Sequence, residues 1–236
     1  MHAIDRQQLI DTFAYGMVPV PHSFINPSAP EYRETEAAAA RYDHDVRRAA
    51  QLIEEVGFVK GADGAFRTSG GQPLRLEIRT TSGDDFKDKL LFGVAEEWKG
   101  AGLGAETVII PRQRAEDREY RATRPGFELT RQPNDLSEGA LRRFMSREAA
   151  LPENDYRAQN RTRYMSAELD ALIDSYLTTI PRAQRLDITR QMVRHVSENL
   201  PVMGITYNVE GTLISNRLTN VNAAVSTRNG HEWDAK

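Results

Sequence analysis

The sequence of 236 residues contains no cysteine, which excludes disulfide frameworks, zinc sites built from thiolates and thiol nucleophiles. No run approaches the ~18 consecutive apolar residues of a transmembrane helix. No charge of one sign dominates, because 31 Lys and Arg residues stand against 34 Asp and Glu residues, a formal net charge of −3. This balance argues against nucleic acid or a charged membrane surface as a partner.

The common sequence motifs of enzymes are also missing. The chain contains no HExxH, GxSxG, GxxxxGK[ST] or GxGxxG, the signatures of metalloproteases, α/β-hydrolases, P-loop proteins and dinucleotide-binding proteins. The five histidines are scattered, and no two lie four residues apart on one helix. We therefore expect no catalytic residue, no bound metal and no cofactor.

The beginning of the chain, MHAIDRQQLIDTF, has neither the apolar core nor the cleavage site of a secretory signal. Helical periodicity starts within about three residues of Met1, with no capping segment before it. The sequence is therefore expected to be a segment of a larger protein.

Apolar residues recur with regular spacing along most of the chain. Helical patterns cover residues 3–16, 46–56, 84–100, 113–123, 137–148, 166–179 and 182–199. Strand patterns cover 74–81, 101–111 and 127–131, with further extended segments at 200–208 and 211–215. The succession of strand, helix and strand over 74–111 is that of a βαβ unit with parallel strands. The sequence thus predicts an α/β fold.

The motif YDHD at 42–45 sets two carboxylates around a histidine. The favoured interpretation is a helix N-cap, because Asp43 or Asp45 can accept hydrogen bonds from free backbone N–H groups and complement the helix dipole. Gly57 then stands where the helix should end. A hydrolase or transferase that uses YDHD with another carboxylate is the alternative.

Two loops offer polar groups suited to holding a small solute. The loop RQPNDL at 131–136 follows a strand, at the end where α/β sheets place ligands, and TYN at 206–208 sets a ring beside an amide. A helix-capping turn is the competing interpretation of the first loop, and a strand with its tyrosine in the core that of the second. The candidate ligand-binding residues are Arg131, Gln132, Asn134, Asp135, Tyr207, Asn208 and, more weakly, His22.

Three stretches together resemble the C-terminal half of the family 5 extracellular solute-binding proteins, which serve ABC importers of peptides, nickel and other solutes. They are the AIDR start, the helix YDHDVRRAAQLIEEVGF with its following DG, and the segment YMSAELDALI, and they occur in family order and spacing. The resemblance implies a partial protein with the type II periplasmic-binding-protein fold. Residues 1–200 would be the C-terminal α/β ligand-binding lobe, and 201–236 a return segment toward a first lobe that this chain lacks.

The resemblance also implies a function without catalysis. A polar or peptide-like solute would be captured between two lobes by hinge closure and delivered to an ABC permease, outside the cytoplasmic membrane in the periplasm or extracellular space. The expected partners are the solute, the permease and the missing N-terminal lobe. The alternative is an α/β domain that binds a protein through the apolar edge exposed by the missing half.

One departure from the family pattern concerns specificity. Peptide-binding members resemble each other in an Asp, just before a D-P pair, that pairs with the amino terminus of the peptide. Alignment of Asp135 with the D of that pair puts Gln132 near the recognition carboxylate, and Leu136 replaces the proline. An amide has no charge to hold an ammonium group. The sequence therefore leaves the class of ligand open among a modified peptide, a sugar, an opine-like compound and another polar solute. Because Asp135 can still supply a charge, a simple peptide stays open as well.

Overall fold

A computed structural model of the chain describes residues 1–124, 126–208, 213–221 and 230–235. Its helices are α1 (Arg6–Phe13), α2 (Tyr32–Thr35), α3 (Val46–Glu55), α4 (Asp85–Gly100), α5 (Arg112–Ala115), α6 (Arg118–Thr123), α7 (Glu138–Leu141), α8 (Ala167–Thr178) and α9 (Arg182–Asn199). Its strands are β1 (Val59–Lys60), β2 (Phe66–Arg67), β3 (Arg75–Thr81), β4 (Gly104–Ile110), β5 (Phe127–Glu128), β6 (Leu218–Thr219) and β7 (Asp234–Ala235). Within these ranges, no helix combines the length and apolarity needed to cross a membrane.

Three parallel strands form the main sheet in the order β4-β3-β5. β3 pairs with β4 along its whole length, from Arg75 opposite Gly104 to Thr81 opposite Ile110. β5 pairs with β3 only through its two residues. α4 connects β3 to β4, which confirms the predicted parallel βαβ unit. β1 with β2 and β6 with β7 form two separate antiparallel pairs.

The apolar core has three parts. The first packs α1, α3 and α4 against the sheet through buried residues that include Ile4, Leu9, Phe66, Leu91 and Trp98. The second joins α8 and α9 to the turn after α7 through Leu141, Phe144, Ile173 and Met192. The third lies around Ile25, Tyr32, Val193 and Tyr207. Each large side chain that is fully buried contributes roughly 1.5–3 kcal/mol to folding.

Capping residues set the bounds of the helices where the sequence predicted caps. The Asp45 side chain accepts a hydrogen bond of 2.9 Å from the Arg48 N–H at the start of α3, which confirms the N-cap interpretation of YDHD. Gly57 follows the end of α3 with φ of +98°, a conformation that favours glycine. Ser166 caps α8 by accepting from the Leu169 N–H.

Several predicted elements differ from those observed. The helix predicted over 137–148 is only α7, followed by 3₁₀ turns at Arg142–Phe144 and Ser146–Glu148. The polar helix predicted over 113–123 breaks in two, because Asp117 is extended and caps α6 through the Tyr120 N–H. The strand predicted over 127–131 is limited to β5, and the extended segment predicted over 200–208 forms no described strand and begins with Leu200 in a left-handed conformation. Part of 211–215 lies outside the described residues.

Candidate functional site

Three stretches of loop border one cleft of about 200 Å³. They are residues 129–134, which continue from β5, residues 202–208, which follow α9, and residues 21–24 of the proline-rich loop that spans residues 18–30. Phe86 and Leu90 of α4 and Val193 and Val196 of α9 supply apolar walls. The cleft therefore combines apolar walls with polar loops, as is typical of small-molecule sites.

Six of the seven residues predicted from sequence lie at this cleft, and one does not. The lining includes His22, Arg131, Gln132, Asn134, Tyr207 and Asn208. Asp135 is exposed and is not part of the lining. The cleft thus brings together two loops and a histidine that are far apart in the sequence.

The loop 131–136 is held in place by its own backbone and side-chain contacts. Arg131 Nε lies 3.0 Å from a carboxylate oxygen of Asp84, the N-cap residue of α4. The Asn134 carbonyl accepts a hydrogen bond of 2.7 Å from the Asn26 N–H. Asp135 accepts one of 2.8 Å from the N–H of Ser137, which caps α7. The end of this loop is therefore a capping turn, and its beginning faces the cleft.

Tyr207 lies on the floor of the cleft and in the third part of the core. Its hydroxyl donates to the Ser23 carbonyl at 2.8 Å, and its ring packs edge-on against Tyr32, with centroids 6.4 Å apart. Burial raises the pKa of the Tyr207 hydroxyl. The side chain is therefore a neutral, fixed part of the floor.

The buried guanidinium of Arg6 fastens the same floor. It donates to the carbonyl oxygens of Pro21 at 2.8 Å, Tyr42 at 2.9 Å and Gly204 at 3.3 Å. Gly204 approaches Pro21 so closely that a Cβ atom there would lie 2.9 Å from the Pro21 Cβ. Glycine at this position lets the segment after α9 lie against the proline-rich loop.

His22 is half-buried at the rim, and its Nδ1 has no hydrogen-bond partner within the described ranges. Burial, and then the charges of Arg6 and Arg41, lower the pKa of His22 below its ordinary value of 6.5. Its imidazole is therefore neutral near pH 7.

The sequence interpretation missed Arg143, Lys87 and Phe24, all of which line the cleft. Arg143 is only 7% exposed, although it follows α7 in a 3₁₀ turn. Burial lowers the pKa of its guanidinium to about 10, and the Asp135 carboxylate opposes this shift. The sequence signal for its burial was that Arg143 directly precedes two apolar residues, Phe144 and Met145, in ALRRFM. Both of these residues are buried in the structure.

Other candidate groups have structural partners. His195 is buried between Tyr164, whose hydroxyl lies 2.8 Å from Nε2, and Glu168, whose carboxylate lies 3.3 Å from Nδ1. His44 Nδ1 lies 3.4 Å from a carboxylate oxygen of Asp5. In the described part of the chain, no three His, Cys, Asp or Glu side chains form a group able to hold a metal ion.

Comparisons with known proteins agree with this architecture. The model of the family described as bacterial extracellular solute-binding proteins, family 5 Middle, matches residues 1–135. The nickel-binding periplasmic protein of Escherichia coli (strain K12) is 27% identical over 109 residues, which are 46% of this chain and 20% of that protein.

Solved structures show the same fold at low identity. The oligopeptide-binding protein of Thermus thermophilus, complexed with a pentapeptide, has a TM-score of 0.72 and 24% identity over 87% of this chain and 36% of its own. NikZ of Campylobacter jejuni, in complex with Ni(L-His), has a TM-score of 0.73 and 19% identity over 100% of this chain and 47% of its own. The chain thus spans less than half the length of these relatives.

The fold is accordingly part of a type II periplasmic binding protein. The matched family consists of solute-binding components of ABC importers that act outside the cytoplasm, and its members bind substrates without converting them. Since the family model covers more than half of the chain, the chain belongs to the bacterial extracellular solute-binding proteins of family 5.

Proposed function

We propose that this chain forms one lobe of a solute receptor, which captures a polar small solute in the described cleft and delivers it to an ABC permease. Residues 1–200 form the ligand-binding lobe, and 201–236 lead back toward a first lobe. Closure of that lobe over the cleft shields the solute from water, and the permease distinguishes the closed form from the open one. No bond of the solute is broken.

The observation that carries this proposal is the convergence of two polar loops at one cleft. Residues 129–134 leave the sheet at the end of β5, where ligands of α/β proteins bind. Residues 202–208 also border the cleft. The solute is proposed to bind Arg131, Gln132, Asn134 and Asn208, with His22 at the rim and Tyr207 beneath. Asp135, which does not line the cleft, supports the loop from outside.

A thermal-shift screen of the full-length protein, in which a first lobe accompanies this chain, tests solute capture. The panel contains short peptides, oligosaccharides, Ni(L-His) and small organic acids. A solute that binds only the folded state at ~100 times its Kd stabilises it by about 2.7 kcal/mol and raises Tm. A clear shift with one class supports the proposal.

The opposite result has an equally definite meaning. If a well-folded protein shows no shift with any class, solute capture is overturned. The favoured function is then that of a domain that binds another protein. The next measurements are the oligomeric state of the protein and its binding to the cognate permease.

A further inference from the structure

The charges that line the cleft are of one sign. Four cationic side chains contribute to the lining, Arg6, Lys87, Arg131 and Arg143, and no carboxylate does so among the residues that the structure describes. Three of the four are engaged within the protein. Arg6 donates to backbone carbonyl oxygens, Lys87 donates to a hydroxyl at 3.1 Å, and Arg131 lies 3.0 Å from a carboxylate. Arg143 is different.

The guanidinium of Arg143 is buried without the partners that such a group needs. Its Nε and Nη1 are inaccessible to water and have no hydrogen-bond acceptor within 1–124, 126–208, 213–221 and 230–235. These two atoms carry most of the N–H donors of a guanidinium. Its central carbon lies 4.6 Å from the ring centroid of Phe144 and 5.9 Å from that of Phe24. The rings attract the cation but do not replace a hydrogen-bond acceptor.

This burial costs free energy that the contacts of the lobe do not fully recover. A guanidinium stays protonated at neutral pH, so it cannot escape the cost by losing its charge. The carboxylate of Asp135 attracts it from outside the cleft, but one oxygen of that carboxylate already accepts from the Ser137 N–H. An oxyanion in the cleft supplies both things that Arg143 lacks, a negative charge and hydrogen-bond acceptors, once a small shift of the side chain brings its buried nitrogens to the surface of the cleft.

We infer that the solute of this cleft carries an oxyanion, a carboxylate or a phosphate group, and that Arg143 binds it. The inference rests on the proposed function and assigns its solute to a chemical class. Lys87 and Arg131 attract the same charge to the same cleft. Gln132, an amide, adds hydrogen-bonding capacity without repelling the anion. A free ammonium group, in contrast, meets no carboxylate in the described lining.

Matched pairs of solutes test the inference on the full-length protein by isothermal titration and thermal shift. The carboxylate pair is N-acetyl-trialanine and its C-terminal amide, and the phosphate pair is glucose 6-phosphate and glucose. We expect at least one anion to bind about 10- to 100-fold more tightly than its neutral counterpart, the range for hydrogen bonds to a charged group. The pair that shows the preference separates carboxylate from phosphate.

Substitution of Arg143 then tests the assignment to this residue. Arg143→Gln should abolish the preference for the anion, so that the anion binds no more tightly than its neutral counterpart. The matched control is Arg142→Gln, because Arg142 is the preceding residue, does not line the cleft, and pairs with Glu148 through Nη2 at 2.6 Å. The control should keep the full preference.

Each contrary result has its own meaning. Equal binding of anions and neutral counterparts overturns the inference and leaves solute capture standing, while binding of neither overturns solute capture and the inference with it. A preference that survives Arg143→Gln overturns the role of Arg143. If that variant does not fold, Arg143→Lys replaces it and should lose most of the preference, since an ammonium cannot reproduce the planar donor set. An unchanged preference in this variant also counts against Arg143.

Discussion

Tyr207 donates a hydrogen bond of 2.8 Å to the Ser23 carbonyl, so one hydroxyl joins segments 184 residues apart in the sequence. Together with Arg6, this bond fixes the floor of the cleft to the proline-rich loop. The cleft therefore depends on a contact that belongs to the third part of the core.

Tyr207→Phe should lower the free energy of unfolding by about 1 kcal/mol, because it removes the donor and leaves the carbonyl of the buried Ser23 without it. Urea unfolding followed by circular dichroism measures the change. The control is Tyr15→Phe, which alters an exposed tyrosine of the first loop and should change stability little. Equal effects of the two substitutions would show that the bond adds nothing to the floor.

Arg143→Met should raise the stability of the ligand-free protein by about 1 kcal/mol, because it removes a buried charge with unsatisfied donors and leaves an apolar side chain beside Phe24 and Phe144. Thermal unfolding without solute measures this. Arg142→Met, which breaks the exposed pair with Glu148, should give no gain. A loss of stability on Arg143→Met would instead assign Arg143 a structural role.

The stability of the protein should fall as pH drops from 7 to 5, in part because of His22. The pKa of this histidine is lowered in the folded state, so the unfolded chain binds more protons between that lowered pKa and 6.5. Stability therefore decreases as pH falls through this window. Burial lowers the pKa of His22 most, the charges of Arg6 and Arg41 lower it further, and Asp43 and Glu36 oppose this shift more weakly.

His22→Asn should reduce this loss, as measured by Tm at pH 7 and pH 5. His231 provides the control, because its side chain is 76% exposed, and His231→Asn should leave the pH dependence unchanged. If both variants lose as much stability on acidification as the parent, the burial of His22 does not contribute to it.

Asp45→Ala should lower Tm, because α3 loses the side chain that accepts from the Arg48 N–H. Asp45→Asn should retain most of the stability, since Asn caps helices about as well as Asp. Binding of an identified solute should be the same in all three proteins, because Asp45 does not line the cleft. A loss of binding in Asp45→Asn, with Tm maintained, would reopen a chemical role for YDHD.

The elements that were predicted correctly are those whose sequences contain capping residues, turn residues or a clear hydrophobic periodicity. α3 has a capping Asp and a terminal Gly, and β3, α4 and β4 have clear periodicity with turn residues between them. The segment 137–148 was predicted as one helix and is not, because Met145 takes an extended conformation as Phe144 and Met145 are buried in the second part of the core. Tertiary packing there overrides helix propensity.

The candidate site was predictable only in part for a related reason. Polar loops after strands are visible in the sequence, and those at 131–134 and 206–208 do meet at one cleft. Arg143 could not be found in this way, since its burial results from the packing of Phe24 from a distant loop against Phe144. Asp135 looked equivalent to its neighbours in sequence, but the capping turn directs it toward Ser137.

Gln132 lines the cleft, and the family resemblance of the sequence places it near the carboxylate that peptide-binding members use to hold the amino terminus of the peptide. Gln132→Glu preserves the shape of the side chain and adds one negative charge to a lining that otherwise lacks carboxylates among the described residues. For an exposed pair of like charges the cost is about 0.2–1 kcal/mol. Affinity for the anionic solute should therefore fall by up to about 5-fold.

Gln191→Glu is the matched control, because it adds the same charge on the exposed face of α9, away from the lining. Titration calorimetry at low and at physiological salt should show the loss for Gln132→Glu alone, and salt should reduce it through screening. Binding of a peptide with a free amino terminus should improve in the same variant, since the new carboxylate can pair with an ammonium group. Equal losses in both variants would mean that net charge, and not the position of Gln132, determines the selectivity for anions.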